Sequence, residues 1–157
     1  MKRNWKPYLF WILLSEAVGA LSGWLTREGT EIYAQTIVKP PLSPPGWVFP
    51  LVWAVLYALM GIGAARIYQS PPSRSRSLGL NLFIAQLVVN FFWSPIFFNL
   101  QAFGFAFFWL LLLLALVLWM ILAFRKADPL AAKLQIPYLV WLSFAAYLNF
   151  GVWYLNR

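Results

Sequence analysis

The sequence predicts an all-α integral membrane protein, a single domain over residues 1–157 built as a bundle of five transmembrane helices. Three observations predict it. Hydrophobic residues make up 62% of the chain and charged residues only 10%, too few to cover the surface of a soluble domain. Five apolar stretches each approach the roughly 20 residues that cross a bilayer as helix. The connections between them are short enough for antiparallel neighbours.

The first span is expected at about residues 7–25, after Lys2, Arg3 and Lys6, with Pro7 at its first helical position and Gly29 in the following loop. Its basic start and the small residues from Ala17 to Ala20 also outline a signal peptide, but the cleavage pattern is weak. Thr26 to Pro45 forms the longest connection and is expected to be an ordered extended loop, because its end (Lys39-Pro40-Pro41-Leu42-Ser43-Pro44-Pro45-Gly46) is too rich in proline for a helix. The second span follows at about 46–68, then a polar linker from Gln69 to Ser77 carrying Arg74 and Arg76. The third and fourth spans, about 78–98 and 102–124, are separated only by Asn99-Leu100-Gln101 and so pair as a hairpin. The fifth covers about 130–155. Pro95 and Pro137 interrupt the third and fifth spans and free carbonyls that neighbours must satisfy.

Orientation follows from the basic flanks. One side receives Lys2, Arg3, Lys6, Arg66, Arg74, Arg76, Arg125, Lys126 and Lys133; the other receives Arg27, Lys39 and Arg157. That bias places the amino terminus in the cytoplasm and the carboxyl terminus and proline loop outside. It also accounts for the net charge of +8 through basic groups facing anionic lipid, with no nucleic acid as partner.

The composition excludes much chemistry. With no Cys and no His, disulfides, thiol nucleophiles, His-centred triads and His or Cys haem ligation are unavailable. The four acids, Glu16, Glu28, Glu31 and Asp128, are too dispersed for a metal site or a carboxylate pair. In excess are ten Trp, seven Tyr and fourteen Phe, which suit a flat apolar ligand.

Trp5, Trp24, Trp47 and Trp153 fit interfacial belts, whereas Trp53, about 10 Å below the outer end of the second span, Trp93 on the third and Trp141 on the fifth lie within the membrane. Tryptophans at that depth need a packed neighbour or a ligand. Asn81, Gln86, Asn90 and Asn149 are expected to face protein and bond across helices. Glu16, near the middle of the first span, is either functional or a neutral acid bonded to a neighbouring amide or carbonyl, and the neutral form is expected. Gly19 and Gly23 form a small-xxx-small pair for packing within the bundle or between subunits. Val152 to Arg157 fits a proposed cholesterol pattern, for which snorkelling of Arg157 is sufficient explanation.

Pro44-Pro45-Gly46-Trp47-Val48-Phe49-Pro50 running into Val52-Trp53-Ala54-Val55-Leu56-Tyr57, then Asn90-Phe91-Phe92-Trp93-Ser94-Pro95-Ile96-Phe97-Phe98, then Pro137-Tyr138-Leu139-Val140-Trp141 and Leu148-Asn149-Phe150, together closely resemble the TspO/MBR family. These are the tryptophan-rich sensory and translocator proteins, also called peripheral benzodiazepine receptors. The resemblance implies a homodimer of five-helix bundles with a pocket under the loop joining the first two spans. Its ligands would be tetrapyrroles such as protoporphyrin IX or haem, benzodiazepine-site compounds, and in animal members cholesterol; no cofactor is required.

Residues implied at the pocket are Tyr33, Trp47, Phe49, Trp53, Tyr57, Asn90, Trp93, Phe97, Tyr138, Trp141, Ala145 and Asn149, with Trp53 and Trp141 carried over as the pair implicated in light-dependent porphyrin breakdown. The sequence departs from many relatives at Leu42, and Tyr33 aligns only with one residue inserted before Lys39. Propionates could meet Arg27 or Lys39 at the rim. Three functions follow: a membrane binder that senses, sequesters or moves tetrapyrroles, a porphyrin-degrading enzyme driven by light and oxygen, and an interaction protein that regulates partners.

Overall fold

The computed structural model describes residues 4–157. Lys2 and Arg3, two of the basic residues used for orientation, lie outside the described residues. Seven α-helices follow in order: α1 (Trp5–Leu25), α2 (Arg27–Thr36), α3 (Val48–Tyr68), α4 (Arg74–Ser94), α5 (Phe103–Ala127), α6 (Pro129–Lys133) and α7 (Ile136–Leu155). A π-helical turn, Pro95–Asn99, extends α4. Among the described residues, five stretches are long and apolar enough to cross a membrane: α1, α3, α4 with its π turn, α5, and α6 with α7. The protein is an all-helical, multi-pass membrane bundle.

Small residues set how closely the helices approach. A Cβ on Gly19 would overlap the Tyr57 ring, and one on Gly61 would overlap the backbone of Ile12, so α1 lies directly on α3. Gly23 has nothing near it, so only half of the small-xxx-small pair is used inside the bundle. Gly79 admits Phe124 between α4 and α5, and Trp109 Nε1 donates to Val89 O at 2.7 Å across that antiparallel hairpin. The apolar interior, among it Met60, Phe83, Leu113, Val117, Phe124 and Leu142, fills the space between these helices.

Four expectations need correction. The helix α1 starts at Trp5, capped by Asn4 Oδ1 accepting from Lys6 N at 3.1 Å, so Pro7 sits inside the first turn. The first half of the long connection is the helix α2 rather than extended chain, and Gly29 is a buried part of it. Only Ile37 onward is extended, where the prolines remove backbone donors. The linker before α4 is also shorter than expected: Ser73 accepts from Arg76 N at 3.0 Å and starts the helix at Arg74. Finally, the fifth span breaks at Leu134 and Gln135, so Pro137 stands in the first turn of α7, where its missing N–H costs nothing.

Pro95 behaves as its chemistry requires. It cannot donate to Phe91 O, and that carbonyl accepts instead from Ser22 Oγ of α1 at 3.0 Å. The chain beyond it relaxes into the π turn, closed by Leu100 N donating to Pro95 O at 3.0 Å.

The two ends of the bundle differ. At one, Asn4 N donates to Gln69 Oε1 at 2.9 Å, Arg66 pairs with Asp128 at 2.8 Å, and Arg76 donates to Tyr68 O. Asp128 is therefore a structural acid, which also caps α6 by accepting from Leu130 N. At the other end, α2 and the extended segment lie over the helices. Gly29 abuts Phe98 and Asn99 of the π turn, and Asn99 Nδ2 donates to Leu25 O at 3.1 Å. Val38 and Asn156 exchange two bonds, with Val38 N donating to Asn156 Oδ1 at 3.0 Å and Asn156 Nδ2 donating to Val38 O at 2.7 Å. Tyr147 Oη donates to Pro41 O at 2.7 Å, and Pro40 packs on Gly151.

Candidate functional site

Under that cover, α3 and α7 bring together six of the residues singled out in the sequence. Trp53 lies one turn before Tyr57 on α3, and their rings are 5.5 Å apart. The Trp53 ring meets Tyr138 at 6.2 Å and Trp141 at 6.5 Å, both edge to face, while Phe49 closes on Trp141 at 5.8 Å. Helical spacing explains the grouping: 49, 53 and 57 repeat every four residues on α3, and 138 and 141 are three apart on α7. Ala145, one turn beyond Trp141, is packed against the core beside them.

Beneath the aromatic rings runs a polar chain. Tyr57 Oη donates to Asn90 Oδ1 at 2.6 Å, Asn90 Nδ2 donates to Tyr138 Oη at 2.7 Å, and Tyr138 Oη donates to Gln86 Oε1 at 2.7 Å. Gln86 Nε2 then points at Met60 Sδ, 3.8 Å away. All four polar residues are buried, and each bond crosses between helices, which fixes α3, α4 and α7 in one register. Gln86 belongs to this chain as fully as Asn90, although the family motifs single out only Asn90. Asn81, by contrast, is exposed rather than turned inward.

A second group lies nearer the π turn. Trp93 stacks on Phe97 at 4.8 Å, Phe97 meets Tyr33 of α2 at 5.5 Å, and Tyr33 meets Phe98 at 5.2 Å. Trp93 Nε1 donates to Asn149 Oδ1 at 3.0 Å, and Asn149 Nδ2 donates to Phe103 O at 2.9 Å, so Asn149 spends its amide pinning α4, α5 and α7 together. Trp93 packs on both hydrophobic clusters and joins the two groups. Burial pushes the Tyr33 hydroxyl above the usual tyrosine range.

Trp47 is not brought to either group; it is 70% exposed at the start of α3, in keeping with an interfacial belt. The cations named for propionates are engaged elsewhere. Lys39 Nζ donates to the carbonyls of Tyr33, Ala34 and Ile37 at 3.1–3.2 Å, neutralising the end of α2. Arg27 Nη1 donates to Trp24 O at 2.6 Å and its guanidinium covers the Trp24 ring. Within the cholesterol-like segment, Arg157 sits 4.3 Å from the Tyr154 ring and Val152 is buried.

One polar atom of the aromatic group is left over. Trp141 Nε1 is buried and has no hydrogen-bond partner, and among the described residues it shares this state only with Gln135 Oε1. A buried donor without a partner costs free energy, which an acceptor on a bound molecule would recover.

Comparison with known proteins assigns the family. The TspO/MBR family model matches residues 11–155. The chain belongs to the TspO/MBR family. Among its relatives in that family, the translocator protein of Ovis aries is 36% identical over 160 residues, covering 100% of this chain and 94% of its own. The tryptophan-rich protein TspO of Chlorobaculum tepidum is 36% identical over 141 residues, 89% of each chain. The tryptophan-rich sensory protein of Cereibacter sphaeroides is 33% identical over 161 residues, covering 99% and 95%. The chain is thus a full-length match to membrane translocator and tryptophan-rich sensory proteins.

Proposed function

We propose that this TspO/MBR protein binds tetrapyrroles, protoporphyrin IX or haem, between α3, α4 and α7 and serves to sense or move them in the membrane. The observation that supports the reading best is the convergence of Phe49, Trp53 and Trp141 around a buried indole N–H that has no partner. Flat rings stack on indole faces, and a pyrrole or propionate acceptor would satisfy Trp141 Nε1. Because the aromatic rings touch one another, the ligand enters by parting Phe49 from Trp141 under the loop. Without His or Cys, haem would be held without the axial ligands those residues supply, chiefly by its face.

Titration of purified protein with protoporphyrin IX in the dark tests this reading. Saturable quenching of tryptophan fluorescence is expected, weakened modestly in Trp53→Phe and Trp141→Phe and unchanged in Trp47→Phe. Absence of saturable quenching, or equal loss in Trp47→Phe, refutes it.

A second reading, light- and oxygen-dependent porphyrin degradation, is favoured by the contact of Trp53 with both Trp141 and Tyr57, which lines up oxidisable rings. On this reading Trp53→Phe and Trp141→Phe keep porphyrin bound yet abolish its photochemical loss. Wild-type protein that leaves bound porphyrin intact under light and oxygen removes it. The cytoplasmic amino terminus and a homodimer belong to the same proposal, the latter using the face of α1 on which Gly23 stands open.

A further inference from the structure

Far from the aromatic site, at the basic end of the bundle, a depression of about 540 Å³ lies between the first turns of α4 and the last turns of α5. It is lined by Arg74, Ser75 and Leu78 from α4 and by Trp119, Leu122, Ala123 and Lys126 from α5. Both sets follow helical spacing, so each helix presents one continuous stripe to the groove. We propose that this groove binds an anionic phospholipid, with its phosphate between Arg74 and Lys126 and its acyl chains along Leu78, Trp119 and Leu122.

Charge and shape carry the assignment. Arg66 is already paired with Asp128, and Arg76 donates to Tyr68 O while covering the Tyr68 ring. Arg74 and Lys126 form no ion pair among the described residues, and Glu16, Glu28 and Glu31, the remaining acids of the chain, lie on α1 and α2. Two cations therefore face one recess without a protein anion. Arg74 stands at the start of α4, whose first turn holds no acid, but the carboxyl end of α5 lies beside it, so the helix dipoles offset and the field comes from the two side chains. A free phosphate would use only this polar end. The other walls are apolar: Trp119 is 52% and Leu122 49% exposed, and Leu78 is exposed beside them, all within stretches apolar enough to cross a membrane. Polar at one end and apolar along its length, the groove matches a lipid and not a soluble anion.

The test is native mass spectrometry of the full chain taken from neutral detergent with equal phosphatidylglycerol and phosphatidylcholine. Two cations each worth a factor of about five predict retention of phosphatidylglycerol over phosphatidylcholine of about 25-fold. In Arg74→Gln/Lys126→Gln the preference is expected to fall towards one, and Arg74→Lys/Lys126→Arg is expected to keep most of it. Lys6→Gln/Lys133→Gln, which removes two cations at the same end but outside the groove, is expected to leave it unchanged. Equal preference in the wild type and Arg74→Gln/Lys126→Gln overturns the proposal, as does equal loss in Lys6→Gln/Lys133→Gln, which would make the effect diffuse charge. Displacement of the lipid by an equal concentration of glycerol phosphate would reassign the site to a soluble anion and overturn it as well.

Discussion

Substituting Tyr138 by Phe removes one oxygen from the centre of the polar chain and little else. That hydroxyl is fully buried, accepts from Asn90 Nδ2 and donates to Gln86 Oε1, both at 2.7 Å. Its loss leaves two buried groups without their partners, because Asn90 keeps only its bond from Tyr57 and Gln86 only its contact with Met60. In a soluble core each orphan costs about 1–3 kcal/mol. Interhelical hydrogen bonds in membranes are worth less, about 0.6 kcal/mol on average and up to about 1.7, since the separated helices also find partners in the bilayer. Two bonds within that range give a loss of about 1–3 kcal/mol. Unfolding by a rising fraction of dodecyl sulfate in mixed micelles, followed by helical circular dichroism, measures it. The chemistry makes a further demand: replacing the whole chain (Tyr57→Phe, Gln86→Leu, Asn90→Leu, Tyr138→Phe) leaves no orphan and should cost less than the single substitution. A Tyr138→Phe protein within about 0.5 kcal/mol of wild type, or a quadruple variant less stable than the single, would refute the view that this chain ties the helices together.

Gly19→Ala should destabilise the bundle by about 1–3 kcal/mol, since its methyl overlaps the Tyr57 ring, while Gly23→Ala should leave unfolding of the monomer unchanged; the same titration compares them. Asn156→Ala removes both bonds to Val38 and should speed proteolytic cleavage between Ile37 and Pro45 severalfold without altering the helical spectrum. Glu16→Gln should preserve fold and porphyrin affinity, because an uncharged acid at that depth is closely mimicked by an amide; a large loss of either in the titrations above would show that the ionised form matters. Single cysteines in this cysteine-free chain should react with an impermeant reagent from outside at position 156 and only after permeabilisation at position 73, and the reverse pattern would invert the orientation.

Length and hydropathy made the five spans legible, and the three-residue link at Asn99 made the hairpin legible, because both depend on quantities a sequence states directly. The helix α2 was harder to read. Glu28, Glu31, Ala34 and Gln35 favour a helix, but the adjacent prolines and Gly29 argue for a loop, and what decides is the close approach of Gly29 to Phe98 and Asn99, residues far away in the chain. The break at Gln135 is similarly tertiary: its buried side chain donates to Leu59 O of α3 at 3.0 Å, a partner no local pattern names. In the candidate site, Trp53 and Trp141 were legible from their depth, while Phe49, Tyr57 and Tyr138 came through the family motifs, although their three- and four-residue spacing places them on shared helix faces. Trp47 was carried in by its motif although its position before α3 points it away. Gln86 was read as bonding across helices, but its place in the site, like that of Asn156 in the loop, went unread because an amide declares its partner only when the other helices are in place.

The paired bonds between Val38 and Asn156 join positions 118 residues apart, across the first and last spans. The extended part of the loop over the aromatic site, from Val38 to Pro41, therefore has none of these partners while the intervening helices are being made and inserted, because Asn156, Tyr147 and Gly151 all come with the last span, whereas α2 can already settle on the π turn. Its latch arrives with α7, the helix that also brings Tyr138 and Trp141, so the site and its cover are completed together as a final step of assembly. A chain stalled before its last span would hold Phe49, Trp53 and Tyr57 of α3 without Tyr138, Trp141 or the latch, and so would have neither the cover nor the complete site.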